Sequence, residues 1–116
     1  MSSFATTVLV NTSVRVIGGA ASTVSFYVDR PEPTEDFICV VNFDGHASSG
    51  SVLVTNANDS KNIPAGTTAD ITSDKNAPIN LKDIKLSNFD NANFSVINNT
   101  KSDVEFECID NSTLKV

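Results

Sequence analysis

The stretch FSVINNTKSDVEFECID, residues 94–110, decides how this chain is read. Phe94 and Val96 alternate with polar neighbours, and Asn98-Asn99-Thr100-Lys101-Ser102 interrupts the pattern. Val104, Phe106 and Cys108 resume it, with Asp103, Glu105 and Glu107 on the opposite parity. Successive side chains of a strand point to opposite faces, so the stretch predicts a hairpin with one buried face and one wet face.

Working outward, the same pattern recurs along the chain. Strands are expected over residues 4–10, 14–17 and 23–28, the second stopped by Gly18-Gly19. Residues 30–35, RPEPTE, cannot continue a ladder, because proline lacks the amide donor and restricts its predecessor. Residues 36–43 hold an unbroken apolar run, Phe37 to Val41 in FICVV, which suggests a central strand covered on both sides or one that changes partner. Further strands are expected over 51–55, 67–72 and 79–87. The parity slip at Lys82-Asp83 reads as a bulge. Between them, 56–62 and 73–78 read as polar loop and breaker, and 88–93 as a turn. Residues 114–116 are expected to pair at an edge. About eight or nine short strands at this spacing predict an all-β, two-sheet antiparallel sandwich, with a small β-barrel as the alternative.

Composition agrees with that class. The 116 residues are 40% hydrophobic and 19% charged, which suits one globular domain spanning 1–116. Ser, Thr, Asn and Val favour strands and turns over helix. The net charge of −6, without any Lys/Arg run, argues against nucleic acid and against anionic membrane surfaces. The N-terminus lacks the basic and apolar regions of a secretory signal, and no apolar stretch approaches the roughly 20 residues of a membrane-spanning helix. A chain made in the cytoplasm, with Cys39 and Cys108 as free buried thiols, is the expectation, although an inter-sheet disulfide is also possible.

One pattern carries a resemblance. Ser51-Val-Leu-Val-Thr-Asn56, a polar loop, Pro64-Ala-Gly66 and Thr67-Thr-Ala-Asp-Ile71 resemble the hairpin of bacterial and phage immunoglobulin-like domains. Residues 94–110 resemble it without the Pro-Gly step, and residues 8–29 do so loosely. The resemblance implies an immunoglobulin-like sandwich over most of the chain, although the absence of Trp departs from the Cys-Trp-Cys core of true immunoglobulin domains. In size, acidity and Ser/Thr/Asn content the chain also looks like the capsid decoration (cement) or head-fibre proteins of tailed phages. That resemblance implies a virion surface location, a protein partner (capsid or like subunits) and a symmetric trimer.

Residues that could carry chemistry are few. His46 is the only histidine, in the turn Asp44-Gly45-His46 near Ser48 and Ser49; a nucleophile needs a base and an orienting acid, and adjacency in a turn specifies neither. Calcium wants six to eight oxygens, whereas residues 88–93 and the group Asn56, Asn58, Asp59 each offer one carboxylate, so both read as turns. Asp103, Glu105, Glu107 and Asp110 read as a solvated strand face rather than two acids across a cleft, or as a surface for a basic partner. The Asn-x-Ser/Thr sequons at Asn11, Asn58, Asn93, Asn98 and Asn111 read as incidental. For stacking sugars there are only Tyr27 and the turn-proximal Phe43 and Phe89, both phenylalanines expected in the core. No catalytic, cofactor or metal residue is therefore assigned. The expected function is that of a non-enzymatic structural protein binding other protein surfaces, a phage capsid decoration protein. The alternative is an extracellular carbohydrate- or cell-surface-binding module, lectin-like or an adhesin domain.

Overall fold

The structure, a computed structural model, describes residues 3–28, 37–43, 49–57, 59–65, 76–79 and 91–110. Within them lie nine strands and no helix: β1 Ser3–Leu9, β2 Ser13–Val16, β3 Ala21–Tyr27, β4 Phe37–Phe43, β5 Ser51–Asn56, β6 Asp59–Pro64, β7 Asn76–Ile79, β8 Asn91–Asn98 and β9 Val104–Asp110. They form a five-stranded sheet, β1-β3-β8-β5-β6, and a four-stranded sheet, β2-β9-β4-β7. The chain is thus an all-β protein of two sheets, and these do not close into a barrel.

The pairing has a simple logic. β2 pairs β9, β3 pairs β8, β4 pairs β7 and β5 pairs β6, all antiparallel. Strands β2 to β9 therefore form one long two-stranded ribbon whose tip is the β5–β6 hairpin. Rolling that ribbon up brings β4 beside β9 and β5 beside β8. Consecutive strands then alternate between the sheets everywhere except at the tip. That is the strand order of a jelly roll, whereas an immunoglobulin domain keeps ABED on one sheet and CFG on the other.

Several expectations change at this point. Residues 94–110 form no hairpin: β8 and β9 belong to different sheets, and the turn between them is a corner. Alternation specifies which residues face the core but not which strand lies alongside, so a corner and a hairpin look alike in sequence. The sandwich is not wholly antiparallel either, because β1 runs parallel to β3, from Ser3 opposite Ala21 to Leu9 opposite Tyr27. The expected loop at 56–62 contains most of β6, and the expected breaker at 73–78 runs into β7. Both are edge strands, where polar residues and proline are tolerated because one side of the ladder is unpaired. β4 does sit inside its sheet, between β9 and β7, and Val40 on its outer parity is buried. Of the strand expected over 79–87 only Ile79 is described, as the end of β7, while the strand expected over 67–72, the bulge at Lys82-Asp83 and the edge at 114–116 lie outside the described residues.

The core is built from the inward parities. Val24 and Phe26 of β3, Val52 and Val54 of β5, and Phe94 and Val96 of β8 meet Val41 of β4 and Val104, Phe106 and Cys108 of β9. Phe26, Phe94 and Phe106 pack edge to face, with centroids 5.2–6.0 Å apart. Phe106 comes from the opposite sheet, so this trio ties the two layers together. Phe43 is half-buried and packs against the core, as expected.

The cysteines are not free. Cys39 and Cys108 are directly opposed on β4 and β9, their Cα atoms 3.9 Å apart, and form a disulfide within one sheet rather than between sheets. The backbone explains how they meet. The Cys108 carbonyl accepts from the Asn11 amide, on the β2 side. In an antiparallel ladder such a residue turns its polar groups away from its other neighbour, and the facing pair is then the closer, non-hydrogen-bonded kind.

Candidate functional site

The two sheets present very different outer faces. On the four-stranded sheet, Glu105 and Glu107 of β9 lie opposite Arg15 and Ser13 of β2. Arg15 sits among the acids: Nη2 is 3.1 Å from Glu105 Oε1 and Nη1 is 3.2 Å from Asp103 Oδ2. Asn42 Nδ2 donates to Glu107 Oε1 at 3.1 Å, while Asn42 Oδ1 is buried without a partner. The Gly18 amide donates to Asp103 Oδ1 at 3.0 Å. The described acids therefore spread along a strand and are partly answered by protein groups. They do not converge on a cleft as an acid–base pair would.

These contacts predict unequal effects. Arg15 is about half exposed, so Arg15→Ala should cost no more than about 1 kcal/mol. Asp103→Ala also strips the Gly18 amide of its acceptor and should cost about 1–2 kcal/mol. Urea melts of the two variants check the ranking, and equal midpoints would contradict it.

The five-stranded sheet is the opposite case. Its outward positions hold only Ser, Thr, Asn, Ala, Pro, Leu, Ile and Tyr, with no charged residue. Across it, Thr23, Ser95, Thr55 and Ser60 stand in register on four consecutive strands. A shallow depression of about 300 Å³ is lined by Thr23, Thr55, Asn56, Ala57, Asn93, Phe94 and Ser95. Asn93 is fixed at its rim: Ser25 Oγ donates to Asn93 Oδ1 at 2.6 Å, and Asn56 Nδ2 donates to the Asn93 carbonyl at 2.9 Å.

Where β1 leaves one sheet and β2 enters the other, the sandwich edge opens into a second cleft of about 300 Å³. Thr6, Val14, Arg15, Val16, Ile17, Ala20, Ala21 and Ser22 line it. Ile17, 58% exposed, stands at its mouth and is the most exposed large hydrophobic residue among those described.

The residues singled out in the sequence fall as follows. His46, Asp44, Ser48, Asn58, Phe89 and Asn111 lie outside the described residues, as do residues 30–35 and 88–90. Asn56 and Asn93 do meet, through the hydrogen bond above. Asn98, a sequon residue, is wholly buried and its amide is fully engaged, so the folded chain cannot be glycosylated there. Tyr27 is half-buried on the outward face of β3, beside Leu9. No group of three or more His, Cys, Asp or Glu side chains among the described residues could hold a metal ion. The uncharged face was missed in the sequence. Its signal, an outward parity of Ser, Thr and Asn shared by several strands, becomes visible only once the strand order is known.

Comparisons with protein-family models, with curated proteins and with solved structures found no match to this chain.

Proposed function

We propose that this chain is a non-enzymatic structural protein that binds other protein surfaces, as a capsid decoration protein on a virion. The observation that carries the reading is the jelly-roll strand order, an architecture that viral capsid domains use repeatedly. The finer immunoglobulin-like form of the reading finds no support in the strand order; the capsid reading does not depend on it.

Two further observations favour it. Edge strands β1 and β2 flank a mainly apolar cleft, which Arg15 also lines, and a partner's side chain or added strand can enter it past Ile17. The Cys39–Cys108 bond suits a protein that works outside a reducing cytosol, which a virion surface or an extracellular site provides. A symmetric trimer would place three such edges around a local axis of the lattice.

The test is a density gradient. A tagged copy, expressed in the organism that encodes it, should band with particles of one buoyant density and leave them when Ile17→Asp is introduced. Recovery of the folded wild-type chain only in the particle-free fractions would sink the proposal.

A further inference from the structure

The outer face of the five-stranded sheet, which β1 borders, differs in its chemistry from the rest of the molecule. We infer that this face is a binding site for a neutral oligosaccharide chain, lying across the hydroxyl row of Thr23, Ser95 and Thr55 and reaching toward Tyr27.

Charge is the first reason. The chain carries −6 overall, yet every described charged side chain lies off this face. Arg15, Asp103, Glu105 and Glu107 belong to the other sheet and its corner. Lys101 is in the corner, and Lys61 has the inward parity of edge strand β6. A neutral ligand pays no desolvation of fixed charge here and meets no repulsion, whereas a polyanion gains nothing from it.

Donor and acceptor chemistry is the second. Thr23, Ser95 and Thr55 are exposed and make no described hydrogen bond within the protein. Each hydroxyl both donates and accepts, which is what sugar hydroxyls require of a partner. They stand one strand spacing apart, so the row spans about 10 Å. Asn93, held by Ser25 and Asn56, presents a pre-ordered rim to the same depression. Tyr27 lies four residues along β3 from Thr23, about 13 Å away, and with the exposed Leu9 beside it supplies the apolar platform that the C–H face of a sugar ring prefers.

A face five strands wide and about seven residues long measures roughly 24 by 23 Å, an extent that a chain of a few sugar rings spans.

An array carrying neutral, sialylated and sulfated glycans tests this on the intact protein. Neutral glycans should be retained and sulfated ones should not. The hydroxyl-deleting variants Thr23→Val and Thr55→Val keep volume and strand preference. They should weaken retention about tenfold together, as expected for the loss of one or two hydrogen bonds. Glu105→Gln, on the other sheet, should bind like wild type. Silence toward every neutral glycan would overturn the inference, as would unchanged retention by the valine variants. So would sedimentation showing that Thr23→Lys dissolves an oligomer, which would make the face a copy–copy contact. Loss of particle binding in the Ile17→Asp gradient leaves this result untouched, so the two proposals fail separately.

Discussion

Asn98→Ala is expected to lower the unfolding free energy by about 4 kcal/mol, a large part of the 5–15 kcal/mol that holds a domain of this size folded. Asn98 is the last inward residue of β8 and is completely buried. Its Nδ2 donates to the Val16 carbonyl at 3.0 Å and to the Ser102 carbonyl at 2.8 Å. Its Oδ1 accepts from the Thr100 amide at 3.0 Å and from Thr100 Oγ1 at 2.6 Å. One side chain thus ties the end of β2, the end of β8 and the corner leading to β9. The backbone closes the same knot, since the Asn98 amide donates to Ala20 and its carbonyl accepts from Gly19. Alanine would leave two or three buried polar groups without partners, each costing about 1–3 kcal/mol.

Thr100→Ala should cost less, about 1–2 kcal/mol, because Asn98 Oδ1 keeps the Thr100 amide. Urea denaturation orders the two variants. If Asn98→Ala melts within 1 kcal/mol of wild type, the corner does not depend on this amide. Two glycines show how tightly the knot is drawn. A Cβ on Gly50, which has φ +87°, would approach the Asn99 carbonyl oxygen, and one on Gly18 would lie 2.8 Å from the Lys101 carbonyl carbon. Backbone lies on backbone at both places, so nothing larger than hydrogen fits without a shift.

How much of this was legible in the sequence depends on what kind of signal each feature leaves. Period-two alternation marked β1, β2, β3 and β5 to within a residue or two, because burial on one face leaves a direct trace, and an unbroken apolar run marked β4. β6 and β7 left none: an edge strand needs few inward apolar residues, and in β6 only Ile63 is a buried hydrophobic one. Partner choice left none either, and so the corner at 99–103 passed for a hairpin turn. Asn98 shows the same difficulty from another side. A polar residue ending an apolar series reads as the start of a loop, and its role appears only when three separate segments are brought to it. Glu105 and Glu107 of β9 were placed correctly on an outward face, but Arg15, which meets Glu105 and also Asp103 at a separation of 88 residues, could not be found by spacing. The two cysteines were visible, yet their opposition on β4 and β9 depends on the rolled ribbon.

Breaking that cysteine bond gives the second large effect. Reduction, or the double replacement Cys39→Ala with Cys108→Ala, is expected to cost about 4 kcal/mol by chain entropy, given a separation of 69 positions. Its place in the roll adds to the case. The pairing of β4 with β9 joins parts of the chain far apart in sequence, and bringing them together costs closure entropy. The bond keeps positions 39 and 108 joined in the unfolded chain as well as the folded one, so that cost falls. Both residues are at most 2% exposed, so a reductant should reach the sulfurs only through unfolding, and reduction of the native protein should be slow. Alanine also removes buried volume. The pair Cys39→Val with Cys108→Val refills the space and suits strands, so it should recover the packing loss but not the cross-link. Urea midpoints under oxidising and reducing conditions, read beside the valine pair, separate the two contributions. Equal midpoints for oxidised and reduced protein would mean that the roll is closed by the sheet and the phenylalanine trio alone.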